Sequence, residues 1–273
     1  MRRAVGATAL HAALLCGALA TLAPLLWMLS ASFMPSGEAT MVPPRVLPSR
    51  FTLEHYRDLF TRLALGRQVW NSALVATATT AVSIVLNSMA GYAFAKLRFA
   101  GRDTIFAALL AALVIPAQVS MLPLFLLLKG MGLVNTYVAV VIPGMASVFG
   151  IFLIRQFALS IPDSVLDAAR IDGAGELRIY ASLVLPFCRP VLVTLAVFTF
   201  LGTWNDFLWP LIVLADDAKY TLPVALANLL GEHVQDTELM MAGSVLTVLP
   251  VLGLFVVAQR HYIAGIMSGA LKD

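Results

Sequence analysis

Six long stretches with almost no charged side chains divide the sequence. Five of them contain no Asp, Glu, Lys or Arg, and the other contains only Asp206. Each stretch reaches the roughly 20 residues that are needed to cross a bilayer. We therefore predict an all-α integral membrane protein with six transmembrane helices. These spans are expected at about residues 10–33, 69–95, 104–128, 135–157, 188–214 and 240–260.

The composition agrees with this prediction. Of the 273 residues, 60% are hydrophobic and 12% are charged, which is about half the charged fraction of an average soluble domain. The net charge of +3 does not indicate a nucleic-acid partner, because the basic residues flank the apolar stretches and form no dense run. With the amino terminus in the cytoplasm, 11 of the 18 Lys and Arg residues lie inside, which favours cytoplasmic placement of both termini. No internal repeat is evident, so residues 1–273 are expected to form one membrane domain.

The first apolar stretch has two possible explanations. Arg2 and Arg3 followed by an apolar run are also typical of a secretory signal peptide. The run from about residue 10 to residue 33 is longer than a normal signal core, so we favour an uncleaved transmembrane helix. Cys16 and Cys188 would lie near the cytoplasmic side, where a disulfide is not expected.

The longest segment assigned to the cytoplasm lies between the fourth and fifth spans, at about residues 158–187. Pro162 suits the first turn of a helix, and Ser164 with Asp167 forms an S-x-x-D start signal. Gly173 can adopt the left-handed conformation that ends a helix. Because the helical pattern restarts a few residues later, we predict a cytoplasmic helix-turn-helix in this loop.

The first helix of this segment has a small apolar face bordered by the charged residues Asp163, Asp167, Arg170 and Asp172. Its apolar residues are Val165, Leu166, Ala168, Ala169 and Ile171. Such a face can enter a groove on a partner protein, or it can lie on the membrane surface. The pattern alone leaves both alternatives open.

Residues 167–174 read DAARIDGA, and Leu185 and Pro186 follow. This segment resembles the EAA loop of binding-protein-dependent ABC transporter permeases, in which E-A-A is followed by three residues, then by Gly, and then by a helix that ends near Leu-Pro. Asp167 departs from the Glu that is usual in the family, and it keeps the carboxylate with one methylene less.

Other short motifs extend the resemblance over nearly the whole chain. They occur in this order and look like the carbohydrate-uptake branch of the family, in particular like the second permease subunit of the maltose transporter. The motifs are Asn71-Ser72, Gly91-Tyr92-Ala93-Phe94-Ala95, Trp204-Asn205-Asp206-Phe207, Tyr220-Thr221-Leu222-Pro223, and the tail from Gln259-Arg260 to Gly265 with Ser268-Gly269-Ala270.

The resemblance implies an assembly in a prokaryotic inner membrane. It implies a second permease that forms a heterodimer with this chain, two ATP-binding subunits and an extracytoplasmic solute-binding protein. The residues that would couple this chain to the ATPase are then Asp163, Leu166, Asp167, Ala168, Ala169, Ile171, Asp172, Gly173 and Ala174. The sequence contains no Gly-Lys pair and hence no P-loop. We therefore expect the partner to use ATP and Mg, and we expect no catalytic residue or bound cofactor in this chain.

Asp206 is the only acidic residue inside a predicted span, and a charge at the bilayer centre costs about 2.5–3.5 kcal/mol on insertion scales. It either lines a translocation path or makes a structural hydrogen bond near the membrane interface, and the sequence leaves both alternatives open. The residues that we assign to the path are Asn205, Asp206, Trp209, Asn87 and Gln118.

Two other functional classes are disfavoured. An ion-coupled secondary transporter is the main alternative, but it would need relay groups in several spans. A membrane enzyme or a metal site is disfavoured because the four histidines are scattered and no ligand motif is present. The substrate stays open among a sugar, an oligosaccharide, a polyol and a glycerol phosphate.

Overall fold

The computed structural model describes residues 2–43, 45–61, 64–232 and 236–270, which are almost entirely helical and contain no strand. The α-helices are α1 (Arg2–Ala31), α2 (Glu54–Thr61), α3 (Leu65–Lys96), α4 (Arg102–Ala112), α5 (Ala117–Gly130), α6 (Tyr137–Val141), α7 (Val148–Ala158), α8 (Asp163–Ile171), α9 (Glu176–Ile179), α10 (Leu185–Phe187), α11 (Arg189–Trp204), α12 (Leu208–Val213), α13 (Leu222–Glu232) and α14 (Thr237–Ala270). A π-helical turn, Tyr180–Val184, joins α9 to α10.

Up to six segments of the described chain are long and apolar enough to cross a bilayer. Three are single helical stretches, Leu10–Ala31, Leu65–Lys96 and Thr237–Val256. The other three are pairs of shorter helices that pass the same test only when the two members are taken together. The helical class predicted from the sequence is confirmed for the described residues, and half of the candidate spans are bent.

The third predicted span is not one straight helix. Helices α4 and α5 meet at an angle of 104°, and Pro116 stands immediately before α5 with φ −59° and ψ 133°. Proline has no backbone N–H to continue the helix, and it pushes the preceding residue, Ile115, towards extended conformations. The chain therefore ends one helix and begins another at this point.

The fourth and fifth candidate spans also contain breaks. The fourth bends by 43° between the turn Ile142–Gly144 and α7, where the Ser147 side chain caps α7 by accepting a hydrogen bond from Gly150 N–H at 2.9 Å. The fifth bends by 79° between Glu176–Phe187 and Arg189–Trp204. Its second helix ends at Trp204, ten residues before the end predicted from the sequence.

The chain divides into two compact units. The first comprises residues 1–66 and 225–250, and the second comprises residues 67–224 and 251–273. In the first unit the buried residues Ala31, Met34 and Ala39 pack together. The buried Glu238 accepts a hydrogen bond from Ala39 N–H at 2.7 Å. These contacts fix the chain that follows α1.

Glu38 organises the segment between α1 and α2. Its carboxylate accepts hydrogen bonds of 3.0 Å from the Ser49 backbone N–H, the Ser49 hydroxyl and the Arg45 guanidinium. Burial alone would raise the pKa of Glu38, but the bonds from Ser49 and Arg45 outweigh it and lower the pKa below its ordinary value. The loop is therefore tied to a charged carboxylate.

In the second unit, the backbone of α3 at Gly91 packs against the side chain of Ile154 on α7. A Cβ added at Gly91 would lie 2.7 Å from Ile154, which is closer than real Cβ contacts. Ile154 belongs to a buried cluster with Tyr92, Leu166 and Ile179. This cluster connects α3 and α7 to the helices that follow residue 160.

Candidate functional site

Helix α8 begins at a proline and is bound to the end of α3. Pro162 precedes the helix as its cap with φ −61° and ψ 131°, and no side chain caps the helix. Ser164 is therefore not the cap predicted from the S-x-x-D pattern, because Pro162 occupies the cap position two residues earlier with a φ angle that suits the start of a helix. The Asp163 carboxylate accepts a hydrogen bond of 2.6 Å from Lys96, which lowers the pKa of Asp163 below its ordinary value.

Helix α8 ends in a Schellman motif at Gly173, which has φ +81°. The Gly173 N–H donates to the Arg170 carbonyl at 3.0 Å, and the Ala174 N–H donates to the Ala169 carbonyl at 2.9 Å. These two bonds define the motif. A Cβ at Gly173 would meet no described heavy atom within 4 Å, so the backbone angle alone requires glycine here.

One side of α8 faces the interior of the second unit. Leu166 is only 1% exposed and packs in the cluster that contains Ile161 and Ile179. Ala169 and Ala174 are partly buried against the same cluster. These three residues, to which the family resemblance assigned a role in ATPase coupling, hold α8 in place.

The other side of α8 is free. Ile171 is 86% exposed and Val165 is 46% exposed. The remaining residues assigned to coupling are also exposed, namely Asp163, Asp167, Ala168, Asp172 and Gly173. Helix α8 thus exposes two apolar side chains among carboxylates, while Leu166 on its opposite side packs on the same chain.

A chain of hydrogen bonds runs from α8 to α3. Arg170 donates to the Asp167 carboxylate at 2.7 Å and to the Glu176 carboxylate at 2.8 Å. The second Glu176 oxygen accepts a hydrogen bond of 2.5 Å from the Tyr92 hydroxyl. Tyr92 lies on α3 and is 4% exposed, so the network connects the surface of α8 to the interior.

A cavity of about 860 Å³ lies beside these groups. Its charged lining includes Lys96, Arg98, Arg102, Asp163, Asp167 and Arg170. Because both signs of charge face the cavity, a partner that enters it must itself offer charged or hydrogen-bonding groups.

The structure places Asp206 in the gap between α11 and α12, not inside a helix. Its carboxylate accepts a hydrogen bond of 3.4 Å from the backbone N–H of Trp209, in the first turn of α12. Asp206 also lines a cavity of about 210 Å³ together with Thr79, Gly144, Thr203 and Trp209. The cavity is smaller than the roughly 300–1,000 Å³ of sites that enclose drug-sized ligands.

The other residues assigned to the path have separate surroundings. Trp209 is 4% exposed and donates from its indole to the Ala139 carbonyl at 3.0 Å. Asn205 is exposed and bonds back to the Leu201 carbonyl. Gln118 is exposed on α5.

Asn87 is fully buried and both ends of its amide are engaged. Its oxygen accepts a hydrogen bond from Ser147 N–H at 3.0 Å, and its nitrogen donates to the Ser83 hydroxyl at 2.6 Å. Asn87 therefore ties α3 to the break before α7, and it is not among the residues that line the cavity with Asp206.

Three residues of the site were missed by sequence reasoning. From the sequence, Lys96 is only one of the basic residues that flank the apolar stretches, and Tyr92 is only part of a family motif. Glu176 lies in the loop at residues 158–187 without an assigned role. The one local signal was the opposite charge of Arg170 and Glu176 across a glycine turn. Within the described residues, no three His, Cys, Asp or Glu side chains come close enough to hold a metal ion.

Comparison with known proteins agrees with the motif. Residues 83–266 match the family described as the binding-protein-dependent transport system inner membrane component. The arabinooligosaccharides transport system permease AraQ of Halalkalibacterium halodurans is 40% identical over 256 residues, which cover 91% of this chain and 90% of that protein. The diacetylchitobiose uptake system permease NgcG of Streptomyces coelicolor is 33% identical over 271 residues, covering 96% and 88%.

A solved structure is similar over nearly the whole chain. It is the crystal structure of a bacterial ABC transporter involved in the import of the acidic polysaccharide alginate, with a TM-score of 0.83, 25% identity, and coverage of 94% of this chain and 97% of the other. The family match spans the segment from α3 to α14 and includes the α8 motif. This chain belongs to the family of binding-protein-dependent transport system inner membrane components.

Proposed function

We propose that this chain is the transmembrane permease subunit of an ATP-driven importer of a carbohydrate or a related polar solute. The observation that carries the proposal is helix α8, which has one face packed on its own chain and a second face with Ile171 and Val165 free. An exposed apolar patch bordered by charges is typical of an interaction site. Relatives named for arabinooligosaccharides and diacetylchitobiose support the class of solute.

The proposed arrangement has six spans, three of them broken, with both termini and α8 on the cytoplasmic side of an inner membrane. The basic residues support this orientation, because Lys96, Arg98, Arg102 and Arg170 all line the cavity beside α8. Cytoplasmic loops carry an excess of Lys and Arg. Lipid surrounds the apolar surface of α1, on which Leu14 and Leu15 are each 62% exposed.

The proposed complex contains this chain, a second permease, two ATP-binding subunits and an extracytoplasmic solute-binding protein. The family description, which names both a binding protein and the inner membrane, supports the last of these. The ATP-binding subunits use ATP and Mg, since this sequence has no P-loop. One subunit docks on the free face of α8.

In this mechanism, closure of the ATPase moves α8 as a rigid body. Leu166 and the Schellman turn at Gly173 keep the short helix intact while it moves. The displacement passes to the attached spans, which switch between inward-open and outward-open packings. The solute then passes near Asn205, Asp206 and Trp209, with Gln118 on a neighbouring helix and Asn87 supporting the break before α7.

The test is reconstitution of the complete complex. The complex is co-purified, placed in liposomes with the solute-binding protein, and assayed for ATP-dependent uptake of candidate sugars and polyols. Uptake that needs hydrolysable ATP is the expected result. Absence of an ATPase in the purified complex, or uptake driven by an ion gradient alone, would contradict the proposal.

A variant pair tests the docking face. Ile171→Glu places a charge in the proposed contact and should release the ATPase, whereas Ile171→Leu keeps an apolar side chain and should retain it. Because Ile171 is 86% exposed, neither change disturbs the packing of this chain. Equal ATPase retention by the two variants would contradict docking through α8.

A further inference from the structure

Glu176 occupies the point where three elements of the second unit meet. One carboxylate oxygen accepts from Arg170 on α8, the other accepts from Tyr92 on α3, and Glu176 itself begins α9. Both oxygens are thus engaged by groups from different helices. The side chain is positioned to set the spacing among α8, α9 and α3.

The backbone between α8 and α9 cannot set that spacing by itself. A Cβ at Gly173 or at Gly175 would meet no described heavy atom within 4 Å, so no packing restricts these two positions, although Ala174 between them packs on the buried cluster. Glycine is also the residue with the greatest backbone freedom. The Arg170–Glu176 pair spans this turn and restricts the angle between the two helices.

A second connection holds the opposite end of α8. Lys96 lies one helical turn after Tyr92 on α3, and residues four apart share a helix face. It donates to the Ile161 carbonyl at 2.7 Å and to the Asp163 carboxylate at 2.6 Å. Neighbouring positions of α3 therefore hold both ends of α8, one through Lys96 and the other through Glu176.

We propose that Glu176 is a positioning residue that transmits the movement of α8 to α3 through Arg170 and Tyr92. The proposal rests on the proposed function, in which an ATPase moves α8. Without the carboxylate, α8 can turn about Gly173 and Gly175 without displacing α3. Hydrolysis of ATP then continues while less solute crosses the membrane.

The experiment compares the wild-type complex with Glu176→Gln in liposomes and measures ATP hydrolysed per solute imported. The amide keeps the shape of the side chain but loses the charge that Arg170 pairs with. Because the Arg170 and Glu176 side chains are 36% and 45% exposed, loss of the pair should raise the ratio by a factor of about 1.5–5. The matched control is Asp103→Asn, which removes an exposed carboxylate that pairs with Arg102, and it should leave the ratio unchanged.

Two further variants separate positioning from folding. Tyr92→Phe removes one hydroxyl from the network and should raise the ratio by a smaller factor. Arg170→Lys keeps a positive charge opposite Glu176 and should raise the ratio by less than Glu176→Gln does. A defect in folding would instead reduce the amount of assembled complex.

The outcomes distinguish the two proposals. A wild-type complex with no ATP-driven uptake overturns the proposed function. A wild-type complex that transports, with the same ratio in Glu176→Gln and Tyr92→Phe, overturns the role of Glu176 and leaves the proposed function standing. If Glu176→Gln does not assemble, Tyr92→Phe decides: a raised ratio supports the proposal and an unchanged ratio overturns it.

Discussion

Replacement of Gly173 should destabilise the carboxyl end of α8, and the free-energy cost follows from the φ angle of this residue. Gly173 has φ +81°, and no described atom lies within 4 Å of a Cβ built there. The added side chain meets no steric obstacle, so its cost is the left-handed conformation itself, about 1–2 kcal/mol for an ordinary residue. Asn enters this region more easily, and a β-branched residue enters it least easily. We expect the cost to rise from Gly173→Asn through Gly173→Ala to Gly173→Val.

Hydrogen exchange of the complex measures this cost. A local destabilisation of about 1–2 kcal/mol multiplies the population of the open form by roughly 5–30. The amides of Gly173 and Ala174, which make the Schellman bonds, should exchange faster by that factor in Gly173→Ala. Gly175→Ala is the matched control, because Gly175 has φ −70° and ψ 160°, which alanine adopts without strain.

Two results would refute this reasoning. Equal exchange in Gly173→Ala and Gly175→Ala would show that the left-handed angle does not hold the end of α8. Slower exchange in Gly173→Val than in Gly173→Asn would show that another contact determines the cost. Under the proposed function, ATP-driven uptake should fall in the same order as exchange rises.

Three other changes have expected outcomes. Gly91→Ala should lower the stability of the complex by about 1–3 kcal/mol, because its Cβ would lie 2.7 Å from a side chain of α7. Gly202→Ala is the control and should not lower the stability, because a Cβ there would meet nothing within 4 Å. Equal thermal unfolding midpoints of the two variants would contradict this packing. Asn87→Ala should cost about 1–3 kcal/mol because Ser147 N–H loses its buried partner, and the unfolding midpoint measures it. Glu38→Gln should flatten the pH dependence of proteolysis in the loop before α2. Since the folded pKa of Glu38 lies below its ordinary value of 4.5, the wild-type loop is fully stabilised above that value and loses stabilisation as pH falls through the folded pKa. A wild-type loop that resists protease equally between about pH 7 and about pH 3 would refute the role of Glu38.

Local rules predicted the parts of the fold that depend on neighbouring residues. The apolar stretches predicted the helices because a bilayer demands about 20 such residues, and Gly173 predicted the end of α8 because its freedom suits a left-handed turn. The sequence did not predict a 104° bend at Pro116. A proline indicates where a helix can break, but packing against other helices sets the angle.

The sequence predicted which segment forms the candidate site, but it did not predict the role of each residue in that segment. The apolar face predicted from spacing grouped Leu166 with Ile171, although one is buried and the other is free. Helical periodicity cannot tell which part of an apolar face packs on its own chain and which part awaits a partner. The bond between Tyr92 and Glu176 joins residues 84 apart in sequence, and no local pattern indicates such a pair.

Helix α3 contains no proline and runs unbroken for 32 residues. Near its first turns, Asn71 binds the carbonyls of Ala218 and Tyr220, and about 30 Å further along, Tyr92 meets the network of α8. Because the helix is continuous between them, the angle about the helix axis that separates the two sets of contacts is fixed. One residue inserted midway would turn one end by about 100° relative to the other, whereas seven inserted residues would nearly restore the phase and only lengthen the rod. Phase along α3, more than the identity of the side chains midway, is what this helix must preserve.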